Sequence, residues 1–262
     1  MKGDASRNPG FLAWLESRLA AEEEDPLPLA LRAALTVLSW AYHGLYLVDR
    51  MPYGLGWRRS IHPGVPIVGL GNLVAGGTGK TPCTIWLANR LRQAGLRPVV
   101  ISHGYKGRAA APLVVSGGQV PVSSLPEEAG DEARLSALSC PGVPVLAGRD
   151  RVAAAGLARE MFDPKVILVD DAFQHWRLAR DLDLVLLEAA RPFGNGRLLP
   201  RGWLREPVTA LGRAGAVILV GQVPEPVGPW PPVPIFHAAL APVSLTPWEE
   251  WRQGIRRPAR RQ

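Results

Sequence analysis

Hydrophobic positions along the chain fall into two rhythms. Short aliphatic and β-branched runs at 67–70, 98–102, 143–146, 166–169, 184–187 and 216–220 have the length and the flanking turn residues of buried strands. Between several of them the spacing becomes helical, as in 84–94, with Ile85, Leu87, Ala88 and Leu91 on one side, and in 151–161. Strand–helix alternation of this kind predicts an α/β fold, a largely parallel sheet flanked by helices on both faces. Functional groups in such a sheet gather at the carboxyl ends of the strands.

Ahead of this alternation, residues 33–48 carry no formal charge and interleave Trp40, Tyr42 and Tyr46, between Arg32 and the pair Asp49 and Arg50. The stretch is shorter than the roughly 20 residues a spanning helix needs. It reads either as a helix buried against the domain or as one lying in a membrane interface, with its aromatics at headgroup level. Trp57, Arg58 and Arg59 follow and suit an anionic bilayer surface. The first 25 residues, with acids at 22–25 and no uninterrupted apolar run, do not read as a secretory signal.

Composition narrows the class. The chain has 262 residues, 47% of them hydrophobic and 20% charged, which fits one large α/β domain with or without a smaller lobe. Its formal charge of +7 predicts an anionic partner, a condition met by nucleic acid, anionic lipid or a phosphorylated substrate alike. Cys83 and Cys140 lack metal-ligand spacing and point to a reducing compartment. Residues 251–262 hold five arginines and no acid, which reads as a solvated tail.

The strongest chemistry follows the first predicted strand. There GNLVAGGTGKTP (71–82) ends in Gly79-Lys80-Thr81 at the start of a predicted helix. Backbone amides across Val74, Ala75, Gly76, Gly77, Thr78 and Gly79 can cradle phosphate oxygens, Lys80 can reach the β- and γ-phosphates, and the Thr81 hydroxyl can ligate Mg²⁺. A strict Walker A pattern has glycine where Val74 stands. A second constellation, the run 166–169 ending in Asp170 and Asp171, places carboxylates where Mg²⁺ on a triphosphate would be held. A third acidic stretch, 127–134, contains Asp131 and Glu132 after Gly130. Its pattern alone favours acids in the first turn of a helix over a catalytic role. No guanine-reading motif is present.

Taken in order, these segments resemble the tetraacyldisaccharide 4'-kinases, the lipid A 4'-kinases. The stretches that carry the resemblance are GNLVAGGTGKTP (71–82), SHGYKGR (102–108), GDE (130–132), GRDRVAAA (148–155), ILVDDAFQH (167–175), DLDLVLLEAARPFGNGRLLPRGWLREP (181–207) and, weakly, PIFHAAL (234–240). The resemblance implies a P-loop NTPase-like fold and ATP-dependent, Mg²⁺-assisted phosphorylation of the 4'-hydroxyl of a tetraacyldisaccharide 1-phosphate, giving lipid IVA. It places the protein peripherally at the cytoplasmic face of the bacterial inner membrane, with no nucleic acid and no protein partner expected. By position it makes Asp131 the catalytic base, with Lys80 neutralising the transferring phosphate. Thr81, Asp170, Asp171 and Glu206 become the metal set, and Tyr105, Glu132, Gln174, His175 and Arg205 line the substrate cleft.

The implied organisation is a polar extension (1–25), a membrane-associating helix and basic loop (26–60), a kinase core (61–215), a remnant of a C-terminal lobe (216–245) and a basic tail (246–262). Three departures from the family pattern stand out: His103 in place of arginine, Ala172 in place of glycine, and a C-terminal lobe shortened before the Asp-His-His-type stretch whose histidine supports the base. His103, only partly charged near neutrality, would weaken a phosphate contact. Two other classes stay open: a catalytically weak, membrane-docked ATP-binding relative, and a nucleic-acid-associated P-loop ATPase.

Overall fold

A computed structural model describes residues 28–104, 107, 111–118, 126–222, 230 and 232–241. The polar extension, the basic tail and Tyr105 lie outside the described residues. In chain order the elements are α1 (Leu29–Gly54), β1 (Ile67–Gly71), α2 (Lys80–Gln93), β2 (Pro98–Ser102), β3 (Leu113–Ser116), α3 (Pro126–Ala129) and α4 (Asp131–Ser139). They continue with β4 (Val145–Ala147), α5 (Arg151–Phe162), β5 (Val166–Asp170), β6 (Leu182–Glu188), a 3₁₀ turn (Val208–Arg213), β7 (Ala216–Val220) and β8 (Ile235–Ala238).

The strands form one eight-stranded sheet in the order β3-β4-β2-β5-β1-β6-β7-β8. Every pairing is parallel except β3 against β4. All six predicted strands are present, and β3 and β8, two short edge strands, are added to them. The central strands are buried on both faces, which is why they read as continuous apolar runs. One face packs Leu70, Val100 and Leu168 under α2 and α4, through small residues such as Ala88, Ala133 and Ala137. The other packs Ile67, Ile101 and Val169 under α5, through Ala154, Ala155 and Ala158. A third cluster, with Phe173, Val185, Leu204 and Leu211, fills the β6–β7 side.

Local chemistry sets the element ends that matter for the cleft. Asp150 caps α5 by accepting from the Val152 and Ala153 amides. The bond from Ala153, with Arg177 beside it, holds its carboxyl below the usual value. Gly71 ends β1 without a side chain because a Cβ there would collide with Phe173.

Helix α1 is inverted relative to an ordinary surface helix. Only Leu35 and Ser39 are buried, while Val37, Leu38, Trp40, Leu45, Val48 and Met51 face outward, Trp40 with 71% of its surface exposed. The side turned to the protein is polar and aromatic. Ser39 donates to the Leu198 carbonyl, Tyr42 to the Arg205 carbonyl, Tyr46 to Glu206 Oε2 and Arg50 to the Gln174 carbonyl. The buried-helix reading of 33–48 is therefore corrected: hydrogen bonds seat the helix, and its apolar face is left uncovered by the described residues. No helix among them is long and apolar enough to cross a membrane.

Candidate functional site

The carboxyl ends of β1 and β5 open into a cleft lined by Ala75, Gly76, Lys80, Thr81, Glu132, Asp170, Asp171 and Arg205. Its floor is the loop between β1 and α2. Gly79, at φ +78°, takes the left-handed conformation that turns the chain into α2. At the other end the fully buried Asn72 donates from Nδ2 to the Val74 carbonyl at 2.5 Å and to that of Gly76 at 3.4 Å. Val74 pairs with Leu204, and the Ala75 amide donates to the Trp203 carbonyl at 2.7 Å. Where a Walker A glycine would stand, Val74 thus ties the loop to the 203–205 segment. Thr78 Oγ1 is buried and has no partner among the described residues.

Beside the loop, the two acidic residues at the end of β5 diverge. Asp170 is 3% exposed; its Oδ2 accepts from Thr81 Oγ1 at 2.9 Å and its Oδ1 from the Asp171 amide. Burial pushes its carboxyl up, against the pull of Thr81 and Lys80. At Asp171, burial also acts upward. The hydrogen bond from Arg205 and the charge of Lys80 outweigh it and hold the carboxyl below its ordinary value. Arg205 Nη1 lies 2.8 Å from Asp171 Oδ1, and Lys80 Nζ lies 3.6 Å from the same oxygen. Beneath the pair, the nearly buried Arg151 (2% exposed) donates to the carbonyls of Asp170 and Gly148.

A hard cation fits this donor set. Asp170 offers a buried carboxylate already oriented by the hydroxyl of Thr81, and oxygen ligands of that kind suit Mg²⁺ completed by phosphate oxygens and water. No group of three or more His, Cys, Asp or Glu among the described residues forms a metal cage by itself.

The remaining predicted residues distribute unevenly. Glu132 and Arg205 line the cleft. Gln174 stands behind Arg205, accepting from it at 3.1 Å while donating to the Asn72 carbonyl at 2.9 Å. His175 is not among the lining residues; burial, then the charges of Arg151 and Arg180, lower its pKa to about 4, so it is neutral near pH 7. Asp131 is the first residue of α4 and is exposed, next to the lining Glu132. Glu206 is placed differently from the metal role expected of it: fully buried, it gives Oε2 to Arg213 at 2.7 Å and to Tyr46 at 3.1 Å, and it does not line the cleft.

His103 is not placed as a cationic phosphate contact. Its Nδ1 lies 2.6 Å from Arg151 Nη1, and burial followed by that charge lowers its pKa. An arginine donates only, so Nδ1 is the acceptor and the ring is neutral. Asn72, Arg151 and Arg213 were missed by sequence reasoning. Asn72 stood inside the quoted loop motif, but nothing in spacing shows that its amide caps the loop.

Residues 31–255 match the family model described as tetraacyldisaccharide-1-P 4'-kinase. A tetraacyldisaccharide 4'-kinase of Halothermothrix orenii is 42% identical over 187 residues, 71% of this chain and 48% of the relative. That of Geobacter sulfurreducens is 41% identical over 236 residues, 88% of this chain and 66% of the relative. The crystal structure of LpxK from Aquifex aeolicus in complex with ATP superposes with a TM-score of 0.72 at 37% identity, covering 79% of this chain and 64% of that one. The chain spans about half to two thirds of the length of the relatives it matches.

Proposed function

The chain belongs to the tetraacyldisaccharide-1-P 4'-kinase family, and on that premise we propose that it transfers the γ-phosphate of ATP to the 4'-hydroxyl of a tetraacyldisaccharide 1-phosphate. The observation that carries this reading is the meeting of Lys80 and Thr81 with Asp170, Asp171 and Arg205 in one cleft, with Glu132 and the acidic start of α4 at its edge.

Thr81 and Asp170 would hold Mg²⁺, which supplies charge neutralisation on the phosphates when bound. The loop amides between Val74 and Thr81 receive the phosphate oxygens. Lys80, now on Asp171, turns to the γ-phosphate, while Arg205 keeps Asp171 ionised and in place. Asp131 accepts the 4'-hydroxyl proton as that oxygen bonds to the γ-phosphorus and the bond to the ADP oxygen breaks. Glu132 and Arg205 face the sugar side; Gln174, His175 and Tyr105 complete the proposed substrate set. Transfer of this kind depends on positioning and charge, which this cleft supplies.

The outward face of α1, with Trp57 exposed nearby and Arg58 and Arg59 beside it, fits peripheral docking on an anionic bilayer at the cytoplasmic face, where an acylated substrate is held. The test is transfer of labelled phosphate from ATP to the tetraacyldisaccharide 1-phosphate in mixed micelles. Wild-type protein is expected to transfer, and Asp131→Ala to bind ATP normally while losing about 10²–10⁴-fold in kcat. ATP binding without transfer by wild type would leave a membrane-docked ATP-binding relative. Wild-type turnover in Asp131→Ala, with loss in Glu132→Gln, would move the base to Glu132.

A further inference from the structure

The residues behind the cleft form a continuous set of hydrogen bonds that starts on α1. Arg205 and Gln174, whose side chains meet at 3.1 Å, are each gripped from behind through the main chain. The Tyr42 hydroxyl donates to the Arg205 carbonyl at 2.7 Å, and Arg50 Nη2 donates to the Gln174 carbonyl at 3.1 Å. Arg50 is itself fixed over the rings of Tyr46 and Trp176, at 5.5 and 5.1 Å. In front, Arg205 reaches Asp171 and Asn72 Oδ1, and Gln174 reaches the Asn72 carbonyl. Asn72 in turn caps the loop carbonyls of Val74 and Gly76. The Arg205 amide closes the ring by donating to the Leu73 carbonyl at 2.7 Å.

We infer that Tyr42 and Arg50 are positioning residues for the phosphate loop: by fixing the main chain at residues 205 and 174 they set Arg205 and Gln174, and through Asn72 the loop itself. This rests on the reading that the cleft holds ATP. The physical ground is that Arg205 and Gln174 lie in segments outside helix and strand, where the main chain is held by a few local bridges rather than a full ladder. The two side-chain donors add to the bridges of Leu204 and the Arg205 amide bond already present there. Both anchoring donors come from a helix that meets the body mainly through polar side chains, since only Leu35 and Ser39 are buried while Thr36, Ser39 and Tyr46 also hydrogen-bond to it. The polar face of α1 therefore has a use beyond attachment.

The experiment uses Tyr42→Phe and Arg50→Met in the full chain. Tyr42→Phe removes one donor and keeps the ring. Arg50→Met keeps the aliphatic stem but removes, with the donor to Gln174, the ion pair to Asp49 and the stacking on Tyr46 and Trp176, so Tyr42→Phe is the more selective of the two. Three quantities are read: hydrogen–deuterium exchange of the peptides covering 72–79 and 203–206, ATP affinity with a fluorescent ATP analogue, and binding to phosphatidylglycerol vesicles. One hydrogen bond of this type corresponds to about a two- to tenfold effect. Exchange at 72–79 and 203–206 is expected to rise by that factor, with strands β2 and β5 unchanged, ATP to bind correspondingly more weakly, and vesicle binding to stay at the wild-type level. In an Arg205→Ala background, Tyr42→Phe is expected to add less than about a twofold further loss of ATP affinity, because the Arg205 side chain is the link through which the Tyr42 bond to the Arg205 carbonyl reaches Asp171 and Asn72.

Uniformly faster exchange with a lower Tm, or full additivity with Arg205→Ala, would give Tyr42 a merely structural role and overturn the inference. So would unchanged exchange at 72–79 in both variants. Exchange is measured without nucleotide, so wild-type protein that bound no ATP would defeat the proposed function while the exchange result still decided this one.

Discussion

Replacing Arg213 with methionine measures how far Glu206 is a structural charge. The Glu206 carboxylate is 0% exposed and its Oε2 lies 2.7 Å from Arg213 Nη2, whose side chain keeps 27% exposure. The same guanidinium lies over the rings of Phe173 and Trp176, at 4.4 and 4.6 Å. Methionine preserves most of the aliphatic stem and leaves the carboxylate with the Tyr46 hydroxyl at 3.1 Å, while Oε1 already has no partner among the described residues. Removing one member of a buried pair costs about 3–5 kcal/mol. Water reaches the exposed part of the arginine site and Tyr46 remains, so the lower end applies, about 3 kcal/mol, with ~0.5–1 kcal/mol more from the lost cation–π contacts.

In a chain of this size that loss lowers Tm by roughly 7–16 °C, at about 2–4 °C per kcal/mol. Urea unfolding followed by circular dichroism gives the free energy directly. Arg213→Met combined with Glu206→Leu removes both charges and is expected to regain at least half of the loss. A single-variant cost below about 1 kcal/mol would refute the reasoning. So would a double variant no more stable than the single, since packing on Phe173 and Trp176 would then account for the effect. Glu206→Gln is expected to leave the Mg²⁺ dependence of ATP binding unchanged; a tenfold higher Mg²⁺ requirement would return Glu206 to the metal.

Two further outcomes follow from the same geometry. His175 has a folded pKa lowered to about 4, so between about pH 6.5 and 4 the folded protein binds fewer protons than the unfolded chain. Stability therefore falls as pH drops through that window, and His175→Asn should flatten this part of a Tm-versus-pH curve; an unchanged slope would exclude His175 as its source. Trp40→Glu with Leu45→Glu places charges on exposed apolar positions of α1. Vesicle binding should fall at least tenfold with Tm within about 2 °C of wild type, because surface substitutions away from packing cost little; intact vesicle binding would count against docking through this face.

The parts legible in the sequence were those governed by short-range rules. The six strands showed as apolar runs because buried parallel strands need nothing else, and the loop at 71–82 with the carboxylates at 170 and 171 showed because phosphate and Mg²⁺ demand fixed residue types. The start of α4 showed as well, since acids in a first turn follow the helix dipole. What stayed hidden depends on long-range partners. Strands β3 and β8 have only four residues each and lie at sheet edges, where burial leaves a weak pattern. Glu206 and Gln174 look alike in a motif, but one faces Arg213 and the other faces Asn72, a difference set by contacts across 7 and 102 positions. The inversion of α1 was illegible for the same reason. An uncharged stretch with scattered aromatics does not say which side meets the protein.

That inversion leaves the two faces of α1 under different substitution rules. The inner face depends on single atoms: the hydroxyls at residues 36, 39, 42 and 46 and one guanidinium nitrogen at residue 50. The outer face is more than half exposed at Val37, Leu38, Trp40, Leu45, Val48 and Met51, so Leu, Val, Ile or Met can exchange there with little packing cost while overall hydropathy is kept. Sequence drift in this helix should therefore be fast at its apolar positions and slow at its polar ones, the reverse of a helix packed on a hydrophobic core.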